Sequence, residues 1–232
     1  TARTVRPHIK RFVEEREMTL MLAVDMSGSG DFGTRGRSKN ELAAEFCAVL
    51  AFAAIRNNDK VGLVIFTDQI ELFIPPKKGG RHVLRLVREL LYFKPGRRRT
   101  DIAGAVDYIN RVLVKKATVF VVSDFLDKDF ERKLSLMNRR HDVVAAVVED
   151  PVEQRLPRSG IIEIEDAETG ELMLADCGSR RFRDIYERNQ HRRFAELDRR
   201  LRGVKVDLIR IRTDKGYIPE LVRFFHMRHR RL

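Results

Sequence analysis

Thr19-Leu20-Met21-Leu22-Ala23-Val24-Asp25 runs straight into Met26-Ser27-Gly28-Ser29, and this stretch decides the fold. From Leu20 to Val24 no polar residue interrupts, so the segment has no alternation of wet and dry faces. Such a strand is buried on both sides, as in a parallel sheet covered by helices. It ends abruptly at an acid, and glycines and serines follow through Gly33. There the chain turns into a loop.

The rest of the chain alternates between the two kinds of element. A helix is predicted over 39–56, where Glu45 is the only charge between Leu42 and Ile55, so burial on nearly all sides is expected. A second strand at 61–66 joins a third at 70–74 through Thr67-Asp68-Gln69, a link so short that it makes the pair antiparallel. Pro75-Pro76 is read as the end of that strand. Helical spacing of Val83, Leu84, Val87, Leu90 and Leu91 predicts a helix over 80–93. Thr100 is read as the N-cap of a helix reaching about Lys115. Strands at 118–123 and 143–148 flank a helix at 130–139, and Pro151 and Pro157 bracket a linker.

A small hairpin insertion is expected at about 160–176, with strands at 161–165 and 172–174 around Glu168-Thr169-Gly170. A basic helix over 181–202 follows, its apolar stripe read as Phe182, Ile185, Phe194, Leu197 and Leu201, with Gly203 as its stop. A sixth strand at 206–211 and a last helix with Pro219 in its first turn complete the chain. The expected fold is α/β: a doubly wound, mostly parallel six-stranded sheet with helices on both faces, one antiparallel edge strand and the inserted hairpin. Residues 1–17 are read as an N-terminal arm and 18–232 as the domain.

Composition sets outer limits. Hydrophobic residues at 43% and charged residues at 34% exclude a disordered chain. The net charge is +12, and residues 180–232 hold 17 basic against 7 acidic side chains, which accounts for most of it. Nucleic acid is one partner class this basicity allows, through Arg192, Arg193, Arg199, Arg200, Arg228, Arg230 and Arg231. A solvated helix face is the plainer reading. Cys47 and Cys177 match no zinc or redox spacing and suit a reducing compartment. No apolar run approaches the ~20 residues of a membrane span, and no signal-peptide pattern opens the chain. A cytoplasmic location is expected. His141, His226 and His229 offer no third zinc ligand and are read as solvated or capping residues.

Three polar segments meet at one edge of this sheet. Asp25 ends the first strand and Asp124 follows the fourth, so parallel strands put both at the carboxyl edge, where ligands bind in such sheets. Counting chain reversals places the turn before Thr100 at the same edge. With Ser27 and Ser29 the set offers two carboxylates and three hydroxyls. Hard cations, Mg²⁺ or Mn²⁺, take oxygen ligands of this kind. Gly28 lets the loop bend so that alternate side chains reach one point. Few protein charges would leave such an ion electrophilic and open to an acidic side chain from another molecule.

Asp25-x-Ser27-x-Ser29, Thr100 and Asp124 together resemble the metal-ion-dependent adhesion site of von Willebrand factor A domains. Further segments resemble a bacterial domain-of-unknown-function family of such proteins: residues 11–17, Val61-Gly62-Leu63 with Phe66, Pro75-Pro76, Arg81-His82, Ser123-Asp124-Phe125, Arg140-His141-Asp142 and Asp150-Pro151. Its members are typically encoded beside MoxR-type AAA+ ATPases. The resemblance implies a cytoplasmic adaptor that acts with such an ATPase on a client protein. Binding rather than catalysis is therefore expected.

Two enzyme readings compete. Gly28 to Gly33 spells a dinucleotide fingerprint, but Asp31 would face the pyrophosphate, and no acid closes the second strand at the required offset. An aspartyl-nucleophile phosphotransferase would use Asp25 to attack, Thr67 or Ser123 to bind phosphate and Asp124 to hold Mg²⁺. Such enzymes want a general acid where Ser27 stands. At the rim, Arg97-Arg98-Arg99 should flank Thr100 and steer an acidic partner, and the hairpin should wall one side of the site.

Overall fold

The computed structural model describes residues 17–33, 36–165 and 170–229. Most of the expected arm, the first two hairpin-turn residues Glu168 and Thr169, and Arg230 and Arg231 lie outside them. β1 (Thr19–Asp25) leads through a 3₁₀ turn at Gly28–Asp31 into α1 (Lys39–Arg56). Next come β2 (Lys60–Phe66), β3 (Ile70–Lys77), α2 (Gly80–Tyr92) and α3 (Ile102–Val112). β4 (Thr118–Ser123), α4 (Glu131–Arg140), β5 (Asp142–Glu149) and the single turn α5 (Pro151–Gln154) follow. β6 (Ile161–Glu165), β7 (Leu172–Asp176), α6 (Arg180–Gly203), β8 (Asp207–Arg212) and α7 (Ile218–His229) end the described chain.

One six-stranded sheet runs β3-β2-β1-β4-β5-β8, and β6 and β7 form a separate antiparallel hairpin. Every neighbour pair in the large sheet is parallel except β2–β3. The doubly wound, mostly parallel α/β architecture expected from the sequence is therefore what the chain adopts. The strand order reverses between β1 and β4, which makes the crevice above those two strands the topological switch point.

Alternate residues of β1 serve two cores. Leu20, Leu22 and Val24 pack with Phe46, Leu63 and Phe120 under α1, α2 and α7. Met21 and Ala23 pack on the other face with Phe66, Val121 and Ile109 under α3, α4 and α6. Each fully buried Leu, Phe or Met contributes about 1.5–3 kcal/mol relative to exposure. This two-sided burial is why β1 shows no alternation. Among the described residues no helix is long and apolar enough to cross a membrane.

Several expectations are corrected. β3 does not stop at Pro75 but runs on through both prolines to Lys77. It is an edge strand with an irregular register at the prolines, and edges and bulges are where a strand tolerates proline. A register shift between Val61 and Leu63 accompanies them, and a Cβ on Gly62 would lie 2.8 Å from Met21 and 2.9 Å from Pro76. α1 is not buried all round, for Phe52 is 40% exposed. α2 buries Val83, Leu86 and Leu90, while Leu84 and Leu91 face out. Ile185 of α6 is exposed rather than part of its apolar stripe. Gly203 is the last residue of α6, and Val204 is its cap. The linker between Pro151 and Pro157 contains α5, started by an Asp150–Glu153 capping box.

His141 is also corrected. It is 3% exposed, and neither ring nitrogen has a hydrogen-bond partner. Burial, with Arg140 beside it, lowers its pKa below the ordinary 6.5. Above about pH 6.5 folded and unfolded forms are both neutral there. As the pH falls the unfolded chain takes up a proton first, so stability is lost through the lower folded-state value. The raised pKa of Asp25 works in the opposite direction over the same window, so the histidine's share is read as the difference between the unaltered chain and His141→Leu in denaturant unfolding from pH 7.5 to 5. The unaltered chain should lose stability relative to His141→Leu as the pH falls, and a difference that does not change with pH would count against this account.

Candidate functional site

Asp25 and Asp124 stand at the switch point, 7% and 8% exposed. β1 and β4 pair with Val24 opposite Val122, so the next pair brings Asp25 to Ser123. The Ser123 hydroxyl donates to Asp25 Oδ2 at 2.6 Å, and Ser27 N donates to Asp25 Oδ1 at 2.9 Å. The loop then turns so that Ser27 Oγ and Ser29 Oγ lie 3.1 Å apart, both buried. Burial, reinforced by the Asp124 charge, pushes the Asp25 carboxyl well above the usual carboxylate range.

The chain after β4 is held in a costly conformation. Phe125 has φ 54°, in the left-handed region, which disfavours any residue with a Cβ. Its N–H donates to Ser123 Oγ at 3.0 Å, and its ring packs edge-on against Phe130 with centroids 5.4 Å apart. Those contacts fix the turn that presents Asp124.

Asp25, Ser27, Ser29 and Asp124 line one cavity of about 10 Å³, room for one water-sized occupant. The donors are oxygens, which suit a hard cation. Thr100, the fifth residue, does not line that cavity but an adjacent groove, which Gly28 and Ser29 also line. Its loop is stitched to theirs by Gly28 N donating to Arg98 O at 2.8 Å. Thr100 does not cap α3 either. Asp101 does, accepting from Gly104 N at 2.7 Å, while Asp127 accepts from Ile102 N at 2.8 Å.

Sequence reasoning missed Lys39. This first residue of α1 is 2% exposed, and its Nζ donates to Asp124 Oδ2 at 2.8 Å and to Glu153 Oε1 at 2.6 Å. Burial opposes its charge, but Asp124 and Glu153 outweigh burial and hold its pKa above the ordinary value. Burial also raises Glu153, against the pull of Lys39. Two sequence signals pointed here. Ser38 with Glu41 makes a capping box that starts α1 at Lys39, and Asp150-Pro151-Val152-Glu153 starts α5.

The hairpin does wall one side. An open groove of about 940 Å³ runs from Ser29 and Thr100 to Ile162 and Ile164 of β6 and Tyr186 of α6. Arg98 reaches Glu165 across it at 3.9 Å, whereas Arg97 turns to Asp68 at 3.3 Å.

A family model described as a protein of unknown function, DUF58, matches residues 1–196. An uncharacterized protein of Mycobacterium tuberculosis is 31% identical over 233 residues, covering 99% of this chain and 73% of the relative. Another, from Mycobacterium avium, is 29% identical over 159 residues, 67% of this chain and 94% of the relative. Among solved structures, the conserved hypothetical protein BatB of Bacteroides thetaiotaomicron matches with TM-score 0.61 at 14% identity, over 91% of this chain and 98% of its own. An aerotolerance-related membrane protein of Bacteroides fragilis matches with TM-score 0.54 at 16% identity, over 84% and 91%. At these identities the likeness to both is one of fold.

Removing Lys39 leaves the buried Asp124 carboxylate and the half-buried Glu153 carboxylate uncompensated. The Lys39→Met variant should lose about 3 kcal/mol in denaturant unfolding, and adding Asp124→Asn should restore part of that loss. A loss under about 1 kcal/mol would mean that the pair is screened like a surface bridge.

Proposed function

Since the chain belongs to the DUF58 family, we propose that it is a protein–protein interaction module whose contact point is a divalent cation, Mg²⁺ or Mn²⁺, held by Asp25, Ser27, Ser29, Thr100 and Asp124. The observation that carries this reading is the meeting of two buried carboxylates and two buried hydroxyls around one water-sized cavity at the switch point. A cation there would supply an electrophilic centre that an acidic side chain of a partner can approach. Ser123 and the Ser27 amide hold the Asp25 carboxylate in place. Lys39 donates to Asp124 and orients its carboxylate. The loop carrying Arg98 and Thr100 is tied to Gly28, and Thr100 lines the groove beside the cavity, from which it would have to approach the cation.

The resemblance to adhesion-site proteins encoded beside MoxR-type AAA+ ATPases supports such an ATPase, and a client protein of it, as partners in the cytoplasm. Binding rather than catalysis fits the way Asp25 is tied down. The competing phosphotransferase reading loses Thr67 as a phosphate donor, because its buried hydroxyl donates to Glu71 at 2.9 Å.

Calorimetric titration of Mg²⁺ and Mn²⁺ should show saturable uptake by the unaltered chain and none by Asp25→Ala or Asp124→Ala. Capture of the MoxR-type ATPase should need the cation and fail with chelator. No uptake by the unaltered chain would refute the metal reading.

A further inference from the structure

α6 carries nine arginines, and the structure sorts them into two sets. Five have partners. Arg180 and Arg202 pair with Asp184 and Asp198 on the same helix, and Arg200 pairs with Glu131 of α4. Arg183 donates to the Cys177 and Gly178 carbonyls, and Arg193 donates to Gln190 and lies near the Phe194 ring. The other four, Arg181, Arg188, Arg192 and Arg199, are exposed and make no ion pair or hydrogen bond with any described residue.

These four are also collinear. At about 100° per residue they fall within about 20° of one line, which runs roughly 27 Å along the helix. Ile185, 41% exposed, lies close to that line, and Ala195 is its other neighbour. Leu197 and Leu201, on the opposite side, are buried. Arg188 and Arg192 sit one turn apart, where like charges destabilise a helix. A merely solvated face would scatter bare and partnered arginines together. Here every bare one stands on the same line.

We propose that this arginine stripe is a docking surface for an anionic lipid bilayer, independent of the cation site. A bilayer surface is flat and laterally fluid, so headgroup phosphates and carboxylates can collect along a straight row. On a nucleic-acid duplex the phosphates follow a helical path that a straight row crosses rather than tracks, and the line carries no aromatic side chain on which bases could stack. Each arginine near an anionic membrane is worth roughly a fivefold gain in partitioning. Ile185 adds one apolar contact at the interface. The result is peripheral, salt-sensitive attachment.

The test is co-sedimentation of the full chain with vesicles of phosphatidylcholine and phosphatidylserine in equal parts, at about 0.15 M ionic strength. The unaltered chain should sediment with these and not with pure phosphatidylcholine. Arg181→Gln, Arg188→Gln, Arg192→Gln and Arg199→Gln combined should cut partitioning by at least about 100-fold. A scattered variant of equal charge, Arg56→Gln, Arg85→Gln, Arg132→Gln and Arg139→Gln, should retain most of it. Circular dichroism checks both folds, and should the stripe variant misfold, the Arg181/Arg188 and Arg192/Arg199 double variants each test half the row. Equal loss in the two quadruple variants overturns the proposal. So does failure of the unaltered chain to sediment, or stripe-dependent binding of a DNA duplex without vesicle binding.

Discussion

Two carboxylates buried side by side at the ends of neighbouring parallel strands are the constraint around which the fold is arranged. Asp25 and Asp124 cannot stand there together without positive charge or strong donors close by. Lys39 supplies the charge and Ser123 a hydroxyl donor. Lys39 reaches the site only because Ser38 caps α1 directly above the switch point, and Glu153 joins it only because Asp150 caps α5 directly after β5. Two helix starts are thus dictated by one electrostatic requirement.

Much of this was legible in the sequence. The uninterrupted apolar run of β1, the acid that ends β1 and the one that follows β4, and the short β2–β3 link are local signals that survive into the fold because burial on both faces leaves them no alternative. The site was legible as far as chain topology reaches, since topology assigns residues to an edge of the sheet. It does not assign side chains to one cavity or another, and Thr100 came to line the groove beside the cavity. Lys39 looked like an ordinary charged start to an apolar helix. Its role depends on Glu153, which is distant in sequence, and no periodicity reports such a pairing. The errors in α2 and α6 share a cause: Leu84, Leu91 and Ile185 are apolar yet exposed, and a sequence stripe widens wherever a surface tolerates a stray aliphatic residue.

α6 connects two surfaces. Its inner side lends Tyr186, Gln190 and Arg193 to the groove beside the Asp25–Asp124 cavity, and its outer line carries the unpaired arginines. A bilayer held along the outer line would leave the groove on the opposite side of the same helix, open to a protein partner. The division of labour follows from helix geometry, since residues separated by half a turn face opposite ways.

Pro75 and Pro76 on β3 have a consequence of a different kind. A bare sheet edge is a template on which an unfolded segment, or a second copy, can add as a further strand. Two adjacent prolines withhold an amide hydrogen from this edge, and the shifted register beside Gly62 spoils the straight ladder an incoming strand would need. The prolines therefore act as gatekeepers against aggregation, protecting on this side a sheet whose strands, exposed in a partly unfolded chain, would be among its stickiest segments.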